Sequence, residues 1–117
     1  MVKITIEEKQ MKRTGFLLKV KEDMRDDYKK QHKAVWPEMK EALRKHGWHN
    51  YSLFMRDDSL LFGYFEAQES FQASRDGMAK ESINDTWQSA MAPYFESLGG
   101  KYPDENMIEI EEVFHLD

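Results

Sequence analysis

The stretch that decides the fold runs from Tyr28 to Tyr51, YKKQHKAVWPEMKEALRKHGWHNY. Tyr28, His32 and Trp36 stand four residues apart, and residues at that spacing share one face of a helix. Pro37 follows at once. Proline drives the residue before it out of helical geometry but sits comfortably at the first helical position. The pattern therefore predicts two helical pieces, over roughly 23–33 and 37–46, with a bend near Trp36. Gly47 stops the second piece, and Arg44, Lys45 and His46 precede it at the negative end of the helix dipole. A strand then begins, so the segment turns back on itself and carries Tyr51 towards Tyr28. The Tyr28–His32 pair is either the buried stripe of an amphipathic helix or half of an active site.

Outward from this stretch the periodicity alternates between the two kinds of element. Upstream, Phe16, Leu18 and Val20 alternate within TGFLLKV and read as a strand over Thr14–Val20. Downstream, His49 to Arg56 is a strand with His49, Tyr51, Leu53 and Met55 on one face and Asn50, Ser52 and Phe54 on the other. Asp57, Asp58 and Ser59 form a turn, and Leu60 to Ala67 returns as the hairpin partner. Ser70 is an N-cap for a helix through Met78. Another helix runs from Ile83 to Leu98, with Ile83, Trp87, Met91 and Phe95 at four-residue spacing and Gly99–Gly100 behind it. Met107 to Leu116 is the last strand. The order is β-α-β-β-α-β, an α+β ferredoxin-like sandwich of a four-stranded antiparallel sheet with helices on one face. Apolar residues also fall on the opposite face, at Phe54, Leu60, Phe62 and Tyr64. They ask for a cover, and a second copy of the chain is the simplest one, giving a homodimer.

Composition bounds the function. The chain has 117 residues, no cysteine, and 17 basic against 22 acidic residues for a net charge of −5. That length makes one domain with its own core, read here as residues 13–117 behind an extension at 1–12. The negative balance argues against nucleic acid as a partner. No apolar run reaches the length of a membrane span, and the first ten residues lack the pattern of a secretion signal. A cytoplasmic location is expected. Asn84-Asp85-Thr86 matches a glycosylation sequon that carries weight only on an exported chain.

Few residues point to chemistry. His32 in the last turn of its helix sits where the dipole favours imidazolium, and an imidazolium is a usable general acid near neutral pH. His46 and His49 form an H-x-x-H pair, but Gly47 divides them between two elements, which disfavours a shared metal; His46 reads as a helix-end residue. Trp36, Trp48 and Trp87 serve a core or an apolar platform for a sugar ring. The eight methionines read as core fillers. Phosphate loops, nucleophile elbows and zinc signatures are missing.

The chain resembles the L-rhamnose mutarotases from Lys12 to Leu116. The resemblance rests on Y-x-x-x-H-x-x-x-W-P-E at Tyr28, His32, Trp36, Pro37 and Glu38. It continues in H-G-x-H-N-Y at His46, Gly47, His49, Asn50 and Tyr51, then Trp87, then E-V-F-H-L at Glu112–Leu116. It implies a dimeric α/β barrel and a cofactor-independent enzyme that interconverts the anomers of L-rhamnose. It also implies His32 as proton donor, with Tyr28, Tyr51 and Trp87 binding the sugar. The family's second tryptophan, next to Trp87, is replaced here by Gln88, which falls in the same sugar-binding position. Other readings compatible with the barrel are a mutarotase for another deoxy sugar, a cofactor-independent monooxygenase or haem-degrading protein, and a non-catalytic stress-response barrel.

Overall fold

The computed structural model describes residues 11–96 and 103–117. Strand β1 (Lys12–Lys19) is followed by a 3₁₀ turn at Glu22–Met24 and by helices α1 (Arg25–His32) and α2 (Pro37–Lys45). The hairpin β2 (Trp48–Met55) and β3 (Leu60–Ala67) comes next, then α3 (Phe71–Ala79), α4 (Ser82–Met91) and the short strand β4 (Ile108–Ile110). The sheet is antiparallel in the order β2-β3-β1-β4, the ferredoxin-like arrangement that the element order implied. Of the expected extension at residues 1–12, residues 1–10 lie outside the described residues, as does the Gly99–Gly100 stop, while Lys12 already belongs to β1.

The proline break falls as expected. Trp36 is extended at φ −59°, ψ 136°, and Pro37 opens α2, so the missing N–H falls where no helical bond is needed. Gly47 takes φ +81°, a left-handed turn that only glycine adopts without strain, and hands the chain to β2. Ser70 caps α3 by accepting a hydrogen bond from the Ala73 amide at 3.0 Å.

Three expectations are corrected. Helix α4 stops at Met91 rather than Leu98, because Pro93 has no N–H for a helical bond to residue 89. Phe95 then turns extended (φ −109°, ψ 149°) and bridges Val20, so it joins the core from the sheet edge and not from a helix face. The last strand covers only Ile108–Ile110, and residues 111–117 continue without regular structure. Finally, His49 does not share the face of Tyr51. Asn50 adopts φ +49°, and the β2–β3 register shifts between His49 and Ser52. This bulge inserts one residue and reverses the alternation on either side of it. Trp48, opposite Ala67, and Tyr51, against Phe65, both reach the core side, while His49 pairs with Glu66 on the outer side.

Helices and sheet close on an aromatic core. Phe16 and Phe65 are fully buried, and Phe16 meets Trp48, Tyr51, Phe65 and Phe71 at ring-centroid separations of 6.0–6.3 Å. Trp48 stacks on Phe65 at 4.0 Å and donates its indole N–H to the Ser74 carbonyl at 3.0 Å. The outer face of the sheet stays apolar and open: Phe54 is 60% exposed and Ile108 51%, with Phe62 and Ile110 beside them.

Candidate active site

Tyr28 and His32, one turn apart on α1, lie ring on ring with centroids 4.1 Å apart and planes 29° off parallel. The edge of Trp87 from α4 meets the imidazole at 5.5 Å and 79°, and Trp36 meets Trp87 at 4.9 Å and 87°. These offset-stacked and T-shaped contacts are the arrangements that aromatic quadrupoles prefer. They hold the imidazole plane with little freedom.

One nitrogen of that ring is committed. His32 Nδ1 lies 3.0 Å from the carbonyl oxygen of Tyr28. A carbonyl can only accept, so Nδ1 carries the hydrogen and Nε2 is the nitrogen left for chemistry. Burial lowers the His32 pKa from 6.5, and the bond to the Tyr28 carbonyl only partly opposes this. That corrects one expectation. The helix-end dipole was expected to keep His32 protonated, but desolvation outweighs it, and the resting ring is neutral near pH 7.

His32 forms part of the wall of a cavity of about 660 Å³ lying between the helices and the β2 side of the sheet. Tyr51, Trp87 and Gln88 line the same cavity. Tyr28 does not line it; its ring lies behind His32, 4% exposed. Burial raises the pKa of both phenols, that of Tyr28 further through the nearby Tyr51. Both stay neutral throughout the working pH range, able to donate and accept hydrogen bonds. The structure thus draws together all five residues singled out from the sequence, four on the wall and one supporting it.

Gln88 is more tied down than its side chain alone suggested. Its Nε2 donates to Asn84 Oδ1 at 3.2 Å, and its Oε1 accepts from the Asp104 amide at 3.1 Å. Asn84 Nδ2 in turn donates to Asp104 Oδ2 at 3.1 Å. Trp48, read from the sequence as core or sugar platform, lines the cavity; Asn84, Asp104 and Arg75 line it too and were not identified from the sequence as site residues. The four-residue spacing of Asn84 and Gln88 on a helix was a signal for the first. For Asp104 no local signal existed, since its turn reaches the cavity only through the tertiary fold.

His46 and His49 part company. His46 is the C-cap of α2, with Nε2 2.6 Å from Glu81, and His49 Nε2 lies 2.9 Å from Gln68 Oε1. Among the described residues no group of three or more His, Asp or Glu side chains could hold a metal ion, and no helix is long and apolar enough to cross a membrane.

Comparison with known proteins identifies the family. The family model for L-rhamnose mutarotase matches residues 13–116. An L-rhamnose mutarotase of Oceanobacillus iheyensis is 41% identical over 108 residues, covering 92% of this chain and 100% of the relative. The Bacillus subtilis L-rhamnose mutarotase is 35% identical with the same coverage. The crystal structure of an L-rhamnose mutarotase from Formosa agariphila superposes with a TM-score of 0.73 at 27% identity, over 91% of this chain and 99% of that one.

Proposed function

The chain belongs to the L-rhamnose mutarotase family, and we propose that it interconverts the α and β anomers of L-rhamnopyranose by acid–base opening and reclosure of the hemiacetal. It is an isomerase, an aldose anomerase. The observation that carries the reading is the clamped imidazole on the cavity wall: Nδ1 held by the Tyr28 carbonyl, the ring between Tyr28 and Trp87, and Nε2 not taken by that bond.

The chemistry asks for no more than this chain's own side chains, and no cofactor takes part. In its protonated form His32 gives the Nε2 proton to the ring oxygen as the C1–O5 bond breaks and its electron pair goes to oxygen. The anomeric hydroxyl loses its proton, and the C1 carbonyl forms. Rotation about C1–C2 and closure on the other carbonyl face complete the exchange. A well-placed acid or base contributes about 10²–10⁴-fold, enough for a reaction that already runs slowly in water.

In this reading the Tyr51 phenol holds a sugar hydroxyl. Tyr28 assists from behind, through its own phenol beside Tyr51 and through the ring that carries His32. Trp87 offers its apolar edge to the methyl-bearing side of the sugar. Gln88 replaces a broad indole with an amide and shapes the preference among deoxy sugars. The exposed apolar sheet face supports a homodimer built on Phe54, Phe62, Ile108 and Ile110. The residue range 13–117 acts as one domain behind its N-terminal extension. The cysteine-free, acidic composition supports work in the cytoplasm.

Saturation-transfer NMR on L-rhamnose, L-fucose and L-lyxose tests the assignment. Exchange is expected to rise well above the buffer rate for L-rhamnose. Buffer rates for all three sugars would refute an anomerase, and faster exchange of L-fucose or L-lyxose would move the substrate.

A further inference from the structure

We infer that Asp104 is the second proton-transfer group of this site, taking the proton of the anomeric hydroxyl while His32 serves the ring oxygen. The inference rests on the mutarotase reading and supplies the base that reading lacks.

Opening a hemiacetal moves two protons. One arrives at O5 and one leaves O1, while the C1–O5 electron pair goes to O5 and the O1–H pair becomes the carbonyl π bond. With His32 Nε2–H as donor, the acceptor must be a second group facing the same cavity. The cavity's charged and titratable lining, among the described residues, is His32 on α1, Lys40 and Arg44 on α2, His49 and Tyr51 on β2, Arg75 on α3, and Asp104. Lysine and arginine hold their protons at working pH and cannot accept another. The Tyr51 phenol is neutral and kept so by burial. His49 pairs with Glu66 on the outer side of the sheet, before the β2 bulge, and its Nε2 is bonded to Gln68 Oε1. The carboxylate of Asp104 is the acceptor that remains.

Its surroundings fit that task. Asp104 stands on the 3₁₀ turn Pro103–Glu105, tied to α4 by a closed ring of hydrogen bonds through Asn84 and Gln88. Both amide side chains are buried. Burying two amides is unfavourable unless each bond is made, and here their bonds run to each other and to Asp104. The ring fixes where the carboxylate points, which is what a proton-transfer group requires. Gln88 is thereby a positioning residue for Asp104. Burial raises the Asp104 pKa from 3.8, Asn84 and Arg75 opposing and Glu105 assisting, while burial lowers that of His32 from 6.5. Burial thereby makes the carboxylate a stronger base and the imidazolium a stronger acid, the direction that each role asks for. Ring closure uses the same pair with the roles reversed.

The test is Asp104→Asn, which keeps a carbonyl oxygen for Asn84, measured by saturation-transfer NMR with L-rhamnose beside the wild type. The expected result is a loss of kcat of about 10²–10⁴-fold, with KM little changed and unaltered thermal melting. The wild-type pH profile of kcat/KM is expected to be bell-shaped, falling in acid as Asp104 protonates and falling again as pH rises through the lowered pKa of His32. The acid limb disappears in the variant. Full kcat in Asp104→Asn, or a loss confined to KM, overturns the inference while leaving the mutarotase reading intact. A wild-type profile with no acid limb overturns it without any variant. Buffer-rate exchange by the wild type removes the reading itself and the inference with it.

Discussion

Replacing Gly63 with alanine probes how firmly the aromatic core supports the cavity. A Cβ at this position would stand 2.1 Å from Cζ of Phe16 and 2.5–2.6 Å from both of its Cε atoms. Carbon atoms pack at about 3.5–4.0 Å, so the ring would have to retreat by more than 1 Å. It has nowhere to go, being fully buried and flanked by Trp48, Tyr51, Phe65 and Phe71. Overpacking of this kind costs about 1–3 kcal/mol, and the upper end applies where several rings must move together. The gain of about 0.5–1 kcal/mol from removing a glycine inside a strand offsets part of it. A net loss of about 2 kcal/mol remains, lowering Tm by roughly 6–10 °C in a domain of this size. Gly15→Ala is the control: the nearest atoms to its Cβ would be those of Ile110 and Phe62 at 3.2–3.4 Å, side chains on the open face that can yield. Circular-dichroism melts of the two variants make the comparison. Because Phe16 touches Tyr51 and Trp48, Gly63→Ala should also raise KM for the sugar. A Gly63→Ala protein melting at or above the wild-type temperature would refute the packing argument.

The remaining predictions concern the site and the open face. His32→Asn keeps an N–H for the Tyr28 carbonyl but has no second nitrogen, so NMR exchange should fall about 10²–10⁴-fold with little change in melting; full anomerase activity would sink the assignment. The folded pKa of His32 lies below its unfolded value of 6.5, so the unfolded chain takes up the proton first as pH falls. The His32 contribution is fully present above pH 6.5 and is lost as pH drops through the folded value. Denaturant titrations should therefore show wild type and His32→Asn keeping a constant stability difference above pH 6.5 that shifts against the wild type below it; a pH-independent difference would contradict the desolvation argument. Phe62→Asp places a charge in the middle of the exposed apolar sheet face, and light scattering should find it monomeric where the wild type is dimeric. A wild type already monomeric at micromolar concentration would rule out the dimer.

Local spacing and turn chemistry determined much of this protein by themselves. Trp36–Pro37 and Gly47 made two helical pieces and a return strand, Asp57–Asp58–Ser59 made the hairpin turn, and Ser70 capped α3, because each acts through its own backbone geometry and needs no distant partner. Tyr28 and His32 were legible as a pair for the same reason. Their spacing on one helix implied the neighbourhood that the stacked rings show. Only the tertiary structure decided the rest. The bulge at Asn50 turned His49 away from Tyr51's face, a one-residue shift of register that alternation cannot reveal. Burial, which depends on the whole fold, lowered the His32 pKa against the pull of its helix end. Asp104 met Gln88 and Asn84 across sixteen and twenty residues of chain, and no local pattern encodes that meeting. Sequence spacing placed the imidazole and its phenol neighbour; long-range packing set the proton affinity of one and assembled the opposite wall.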